Sequence, residues 1–324
     1  MDTGGAKDKA FLKEPKLFVL DSGSHKPEET DAERFRKAAP KSAHKPVAVG
    51  RAQITAIPTA VYNVSLSSVS LAVHEDSGAW NTGIAGKVWP SAHVLSEYFE
   101  WRFLENASSA LDLPRTVLEL GSGTGLSGMC LAKIFNSIDH RSAAPPTVMI
   151  TDLEEAVPLM ERNIMENFRD GDWVVPVARA LCWGDEDDCR AVSTELVDSR
   201  NTIASARADA TLAANDIDLI FGSDVVYWPH LFDLLIETLV AMASLRTEVI
   251  LACRQRELSK EIAFWSKLGK YFHLSPILEW SRYWSEYKNE GFFLLRINKR
   301  EVPLETDYSD EFEAMLLMWS TVDD

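Results

Sequence analysis

The stretch Val117-Leu118-Glu119-Leu120-Gly121-Ser122-Gly123-Thr124-Gly125-Leu126-Ser127-Gly128 restricts the possible folds of this chain more than any other part. An apolar run ends in an acid, and glycines then recur on every second residue. A buried strand hands over to a helix in this way, across a loop that passes close to a ligand. A Cβ in such a loop would collide with the ligand or forbid a φ > 0 turn. The loop also turns backbone N–H groups and a helix N-terminus toward the pocket. By itself it indicates a nucleotide-like cofactor.

Two readings compete. Gly123 to Gly128 satisfies the G-x-G-x-x-G dinucleotide fingerprint. The same residues also fit the acid-x-G-x-G-x-G loop of S-adenosylmethionine-dependent methyltransferases, and Glu119, two residues before Gly121, favours that loop. An acid near the turn helps a sulfonium cofactor and would repel a pyrophosphate.

Strand and helix patterns alternate after Gly86, which argues for a mostly parallel sheet covered on both faces. Strands are expected at 116–120, 147–151, 174–181, 219–222, 248–252, 272–278 and 291–297, with helices over 92–105, 154–168, 229–242 and 257–268. The fold class is therefore α/β: a seven-stranded, Rossmann-like sheet with helices on both faces. The final two strands, joined by a loop, form a hairpin that sets the last strand antiparallel. Alternating residues over 52–74 predict a small β-hairpin ahead of this sheet.

The expected organisation is a tail at 1–45, a β extension at 46–85, the main domain at 86–300 and a C-terminal tail at 301–324. Within the first tail, 17–20 reads as a short strand; within the last, 305–324 reads as a short amphipathic helix. Residues 185–215 open on Asp185-Glu186-Asp187-Asp188 and read as an acidic, polar loop insertion.

Asp152 closes the second strand of the sheet, where a carboxylate accepts both ribose hydroxyls of an adenosine; the competing role is a helix cap. Ser223-Asp224-Val225-Val226-Tyr227 closes the strand at 219–222. An acid and an aromatic wall there clamp a cationic amine approaching a sulfonium methyl. Trp89 precedes the first helix and Trp183 ends the third strand; either stacks on adenine or packs in the core. Tyr283, Trp284 and Tyr287 form a substrate-facing rim or seal the sheet edge.

Lys+Arg 33 against Asp+Glu 49 gives a formal net charge of -16, a surface that repels phosphates and disfavours nucleic acid. A basic protein partner or cationic substrate fits better. The four cysteines show no C-x-x-C pairing and no histidine at metal spacing, so neither a disulfide framework nor a metal site is expected. No apolar run reaches the ~18 residues of a membrane span. A cytoplasmic or nuclear location follows as an expectation.

Together these residues resemble the seven-β-strand protein-lysine methyltransferases, in particular the methyltransferase-like 21 group. The resemblance lies in V-W-P-S-A at Val88 to Ala92, E-L-G-S-G-T-G at Glu119 to Gly125, and Thr151-Asp152-Leu153 with Asn163. It continues through Trp183-Gly184, D-x-x-Y at Asp224 to Tyr227, and Leu251-Ala252-Cys253-Arg254. It implies S-adenosylmethionine held by Trp89, Glu119, Gly121, Ser122, Gly123, Gly125, Asp152, Leu153, Trp183 and Ser223, with Asp224 and Tyr227 as catalytic residues. It also implies methylation of a lysine on a folded protein such as a chaperone or a translation elongation factor. The alternatives are a small-molecule N-methyltransferase and a non-catalytic cofactor-binding module; a dehydrogenase is weaker than either.

Overall fold

The computed structural model describes residues 61–66, 68–76, 82–105, 113–138, 144–205, 217–256, 258–278, 280 and 284–306. The expected tail at 1–45, its short strand, and the terminal helix beyond 306 lie outside the described residues.

A seven-stranded sheet organises the fold. Its strands are β3 (Thr116–Leu120), β4 (Thr147–Asp152), β5 (Val177–Ala180), β6 (Leu219–Ser223), β7 (Glu248–Arg254), β8 (Phe272–Ile277) and β9 (Phe292–Lys299), in the spatial order β5-β4-β3-β6-β7-β9-β8. Pairings from β5 through β7 are parallel, and β9 runs antiparallel between β7 and β8. The chain moves outward from β3 to β5 on one side and from β6 through β7 to the edge at β8 on the other, then returns to insert β9. The strand order thus reverses between β3 and β6, and a crevice opens at their carboxyl ends.

Every side chain of β3 is buried, as expected of a strand covered on both faces. Val117, Phe221 and Ile250 face one layer of core, packed with α1 (Pro90–Glu100) and α2 (Leu126–Asn136). Leu118, Leu120, Ile220 and Leu251 face the other, packed with α4 (Glu186–Ser205), α5 (Phe232–Met242) and α6 (Leu258–Tyr271). The period-2 alternation of strand side chains also fixes where Glu119 goes: onto the α1/α2 side with Val117.

The N-terminal hairpin pairs β1 (Val61–Ser65) with β2 (Ser70–His74), and its Val64, Leu71 and Val73 are buried. The free edge of β2 is closed by side chains of α3 (Val157–Asn167) instead of by another strand. Asn163 Oδ1 accepts from the His74 amide at 2.8 Å and Asn163 Nδ2 donates to the His74 carbonyl at 3.1 Å. Asn167 repeats the pattern on Ala72, at 2.9 and 2.8 Å. Residues four apart on a helix lie about 6 Å apart and residues two apart on a strand nearly 7 Å, so two asparagine amides mimic a strand.

Two expectations are corrected. Residues 186–205 form α4, not a loop. Asp185 starts it by accepting from the amides of Asp187 and Asp188 at 2.9 and 3.0 Å. The acids of the first turn favour the helix N-terminus, and Cys189, Val192, Leu196 and Val197 supply a buried stripe. The last two strands are joined through a short helix, α7 (Trp284–Asn289). Its Tyr287 donates to Glu97 Oε2 at 2.5 Å and stacks on Trp280 at 6.1 Å, so it packs against the α1 side of the core. Tyr283 lies outside the described residues.

Candidate active site

The glycine loop is fixed by β4 before any ligand arrives. Ser122 N donates to the Thr151 carbonyl at 2.9 Å, and Ser122 Oγ accepts from Thr151 N at 2.9 Å. Thr151 Oγ1 donates to the Glu119 carbonyl at 2.6 Å, and Asn163 Nδ2 reaches the Thr124 carbonyl at 2.9 Å. Gly121 and Gly123 sit at φ 63 and 56, a region costly for residues with a Cβ. A Cβ on Gly121 would stand 3.0 Å from the Trp183 ring, and one on Gly123 would stand 2.8 Å from the Ala85 carbonyl oxygen. Glycine is required at both positions, by the backbone angle and by the close approach of Trp183 and Ala85 to the loop.

Glu119 and Ser122 do not form the face of that loop. Glu119 is 1% exposed and lies beneath the loop, its Oε2 accepting from the Gly128 amide at 3.0 Å. Burial pushes its carboxyl up to about 8, against the Ser122 hydroxyl, the Gly128 amide and the Ser127 hydroxyl. Its part is to brace the start of α2, while the Ser122 side chain ties the loop to β4.

Asp152 stands half-buried at the end of β4. Its Oδ2 accepts from Gly123 N and its Oδ1 from Leu153 N, both at 2.7 Å. Burial raises its carboxyl above the usual range, and these two amides oppose the rise. Neither contact caps α3. Burial also pushes the Tyr227 phenol up to about 12, and the charge of Asp152 adds to the rise. β4 and β6 flank β3 in parallel, so the acid ending β4 and the D-x-x-Y segment following β6 stand at the same carboxyl end of the sheet. Trp183 lies against Gly121, and Leu153, 49% exposed, stands at the outer lip. Ser223 ends β6, half-buried.

Asp224 is the one non-glycine among the described residues with positive φ, at 55. Its carboxylate is fully engaged. Oδ2 accepts from Ser91 N in the first turn of α1 at 3.4 Å, Oδ1 accepts from Arg254 N at 3.3 Å, and the Arg256 guanidinium lies 3.3 Å from Oδ1. Trp89, immediately before α1, is 39% exposed and donates its indole N–H to the Ile84 carbonyl at 3.0 Å. The same Arg256 guanidinium stands 5.5 Å from the Trp89 ring centroid. Arg256 and Ser91 are the site residues that sequence reasoning missed. The signal for Arg256 was slight: it follows Leu251-Ala252-Cys253-Arg254 by two residues.

The glycine loop, the acid at the end of β4 and the flanking tryptophan fit an adenosine-bearing cofactor. With the reversed β9, they define a seven-strand S-adenosylmethionine-dependent methyltransferase. The model of the lysine methyltransferase family matches residues 65–199 and 204–270, and the chain belongs to that family. It is 27% identical to protein-lysine N-methyltransferase EFM6 of Saccharomyces cerevisiae, over 71% of this chain and 87% of that protein. It is 28% identical to protein N-lysine methyltransferase METTL21A of Danio rerio, over 60% of this chain and 72% of that protein. It is 26% identical to EEF1A lysine methyltransferase 3 of Xenopus tropicalis, over 61% and 70%.

Proposed function

We propose that the protein transfers methyl groups from S-adenosylmethionine to a lysine of a folded protein, with a translation elongation factor as the leading candidate substrate. The observation that carries this reading is that the glycine loop, Asp152 and the D-x-x-Y segment follow the carboxyl ends of three adjacent parallel strands, with Asp152 bonded to the Gly123 amide and Asp224 to the start of α1. The name of the Xenopus relative supplies the candidate substrate. A cytoplasmic or nuclear location belongs to the same proposal.

When bound, S-adenosylmethionine supplies an electrophilic methyl on a positively charged sulfur and leaves as the neutral thioether. Asp152 would take the ribose hydroxyls, in place of contacts it now makes only to amides. The loop from Gly121 to Gly125 would follow the cofactor, with Trp89, Leu153, Trp183 and Ser223 as walls; glycine at 125 also lets the loop pack on Ile150. Displacement in line needs positioning above all. The target must also be a neutral amine, and with a free lysine pKa of ≈ 10.4 its deprotonation at pH 7 costs about 4–5 kcal/mol. Tyr227, held as a neutral phenol, walls the amine's path without adding charge.

The test is incubation of the protein with radiolabelled S-adenosylmethionine and either a cell lysate or purified elongation factor 1A. The control is Asp224→Asn, which removes the charge in a residue that tolerates positive φ. A discrete protein band, at least tenfold weaker with the variant while calorimetry still detects cofactor binding, is the expected result. Equal labelling by both proteins removes Asp224 from the mechanism. Absence of any labelled protein turns the reading toward a small-molecule acceptor.

A further inference from the structure

The Asp224 carboxylate poses an electrostatic problem that rests on the lysine-methylation reading above. A bare acid beside the target attracts the lysine, but it also stabilises the ammonium form, which cannot react. Its side chain is only 3% exposed, so little of its charge is screened by water. The structure places a cation against it. The Arg256 guanidinium, on a side chain 37% exposed, reaches Oδ1 from the end of β7 and lies over the Trp89 ring. Its backbone is held in turn, because Arg256 N donates to Oε1 of the buried Glu261 on α6 at 2.9 Å.

We infer that Arg256 is a positioning residue that neutralises Asp224, so that the carboxylate can orient the target lysine without holding it as an ammonium.

The other groups around Asp224 do not supply that neutralisation. Arg254 offers Asp224 only its amide; its guanidinium lies 5.1 Å from the Phe292 ring centroid and its Nε donates to the Glu290 carbonyl at 3.2 Å. From α1 comes the Ser91 amide, a partial charge at a helix N-terminus. Cys253 is buried and, through that burial, stays a neutral thiol. Glu261, which holds the Arg256 amide, brings an acid and not a cation, and Tyr227 stays neutral. Among the described residues in contact with Asp224, Arg256 alone brings a full positive charge. With it present, the lysine proton passes to solvent more readily, and the nitrogen lone pair is then free to form the N–C bond.

The experiment is the pH dependence of kcat, measured on the protein band that the wild type labels, because the kcat profile reports groups in the enzyme–substrate complex. The acid limb of that profile follows deprotonation of the lysine. Arg256→Gln and Arg256→Met, the second retaining a stem that packs on Trp89, should each move the limb up by about half to one pH unit, given an opposite charge a few ångström away and partly screened. Arg256→Lys should restore it. The double variant Asp224→Asn/Arg256→Gln leaves no buried carboxylate unpaired, so it keeps the fold where a single neutral variant loses it. Its limb should return to the wild-type position or below. Limbs that coincide in wild type and neutral variants overturn the inference, as does a double variant whose limb stays raised. A wild type that labels no protein at all sinks the lysine reading and this inference with it; a labelling wild type with unmoved limbs sinks this inference alone.

Discussion

At the scale of single residues, the acid before the glycines is held by the loop it precedes. Alternation along β3 turns Glu119 inward, under the loop, where it braces the Gly128 amide at 3.0 Å. Burial raises its carboxyl from 4.5 to about 8. Between those two values the folded chain keeps a proton that the unfolded chain releases. The native state binds more protons, so the contribution of this group to stability is full below pH 4.5 and is lost as pH rises toward 8. A glutamine keeps the acceptor for Gly128 and has no proton to lose. Glu119→Gln should therefore match the wild type near pH 5 and exceed it at pH 8, by on the order of 3 kcal/mol at 1.36 kcal/mol per unit. Denaturant unfolding at the two pH values measures this directly. A wild-type advantage that is the same at both would mean that the carboxyl is ionised throughout.

At the scale of elements, what was legible depended on whether the signal was local. The apolar strands, the glycine loop and D-x-x-Y each carry their pattern within about ten consecutive residues, and the strands were found in place, although the one expected at 174–181 is only Val177–Ala180. The 186–205 helix was not legible, because its buried stripe of Cys189, Val192, Leu196 and Val197 is diluted by acids that serve its N-terminus. The pairing of β2 with α3 was not legible either, since His74 and Asn163 stand 89 residues apart. Nor was the ion pair between Asp224 and Arg256, which needs β6 and β7 side by side. The β2–α3 junction carries its own prediction, because Asn163 ties the hairpin to the glycine loop through His74 and Thr124. Asn163→Leu fills the space but strands buried amide and carbonyl groups, each at about 1–3 kcal/mol. We expect a loss of roughly 3 kcal/mol or more in urea unfolding, accompanied by a higher KM for S-adenosylmethionine. A variant that lost stability with an unchanged KM would show the loop to be held by β4 alone.

At the scale of the whole molecule, the net charge of -16 acts at a distance that no single contact reaches. A long-range field steers a partner of opposite sign and raises the rate of encounter; it has little effect once the partner is docked. The reacting lysine, by contrast, is governed inside the crevice by Asp224 and Arg256, at separations well within a Debye length of about 10 Å at 0.1 M salt. The two regimes separate experimentally. With a basic folded protein as substrate, raising salt from about 50 to 300 mM shortens the Debye length and should lower kcat/KM at least about threefold while leaving kcat nearly constant. A short lysine peptide of low charge should show a much smaller change, since it offers little for the field to act on. If kcat falls together with kcat/KM, salt is reaching the Asp224–Arg256 pair through its exposed arginine. If neither parameter moves, the acidic surface plays no part in choosing the partner, and selectivity must come from contacts around Trp89, Leu153 and Trp228, which stand exposed on the described surface.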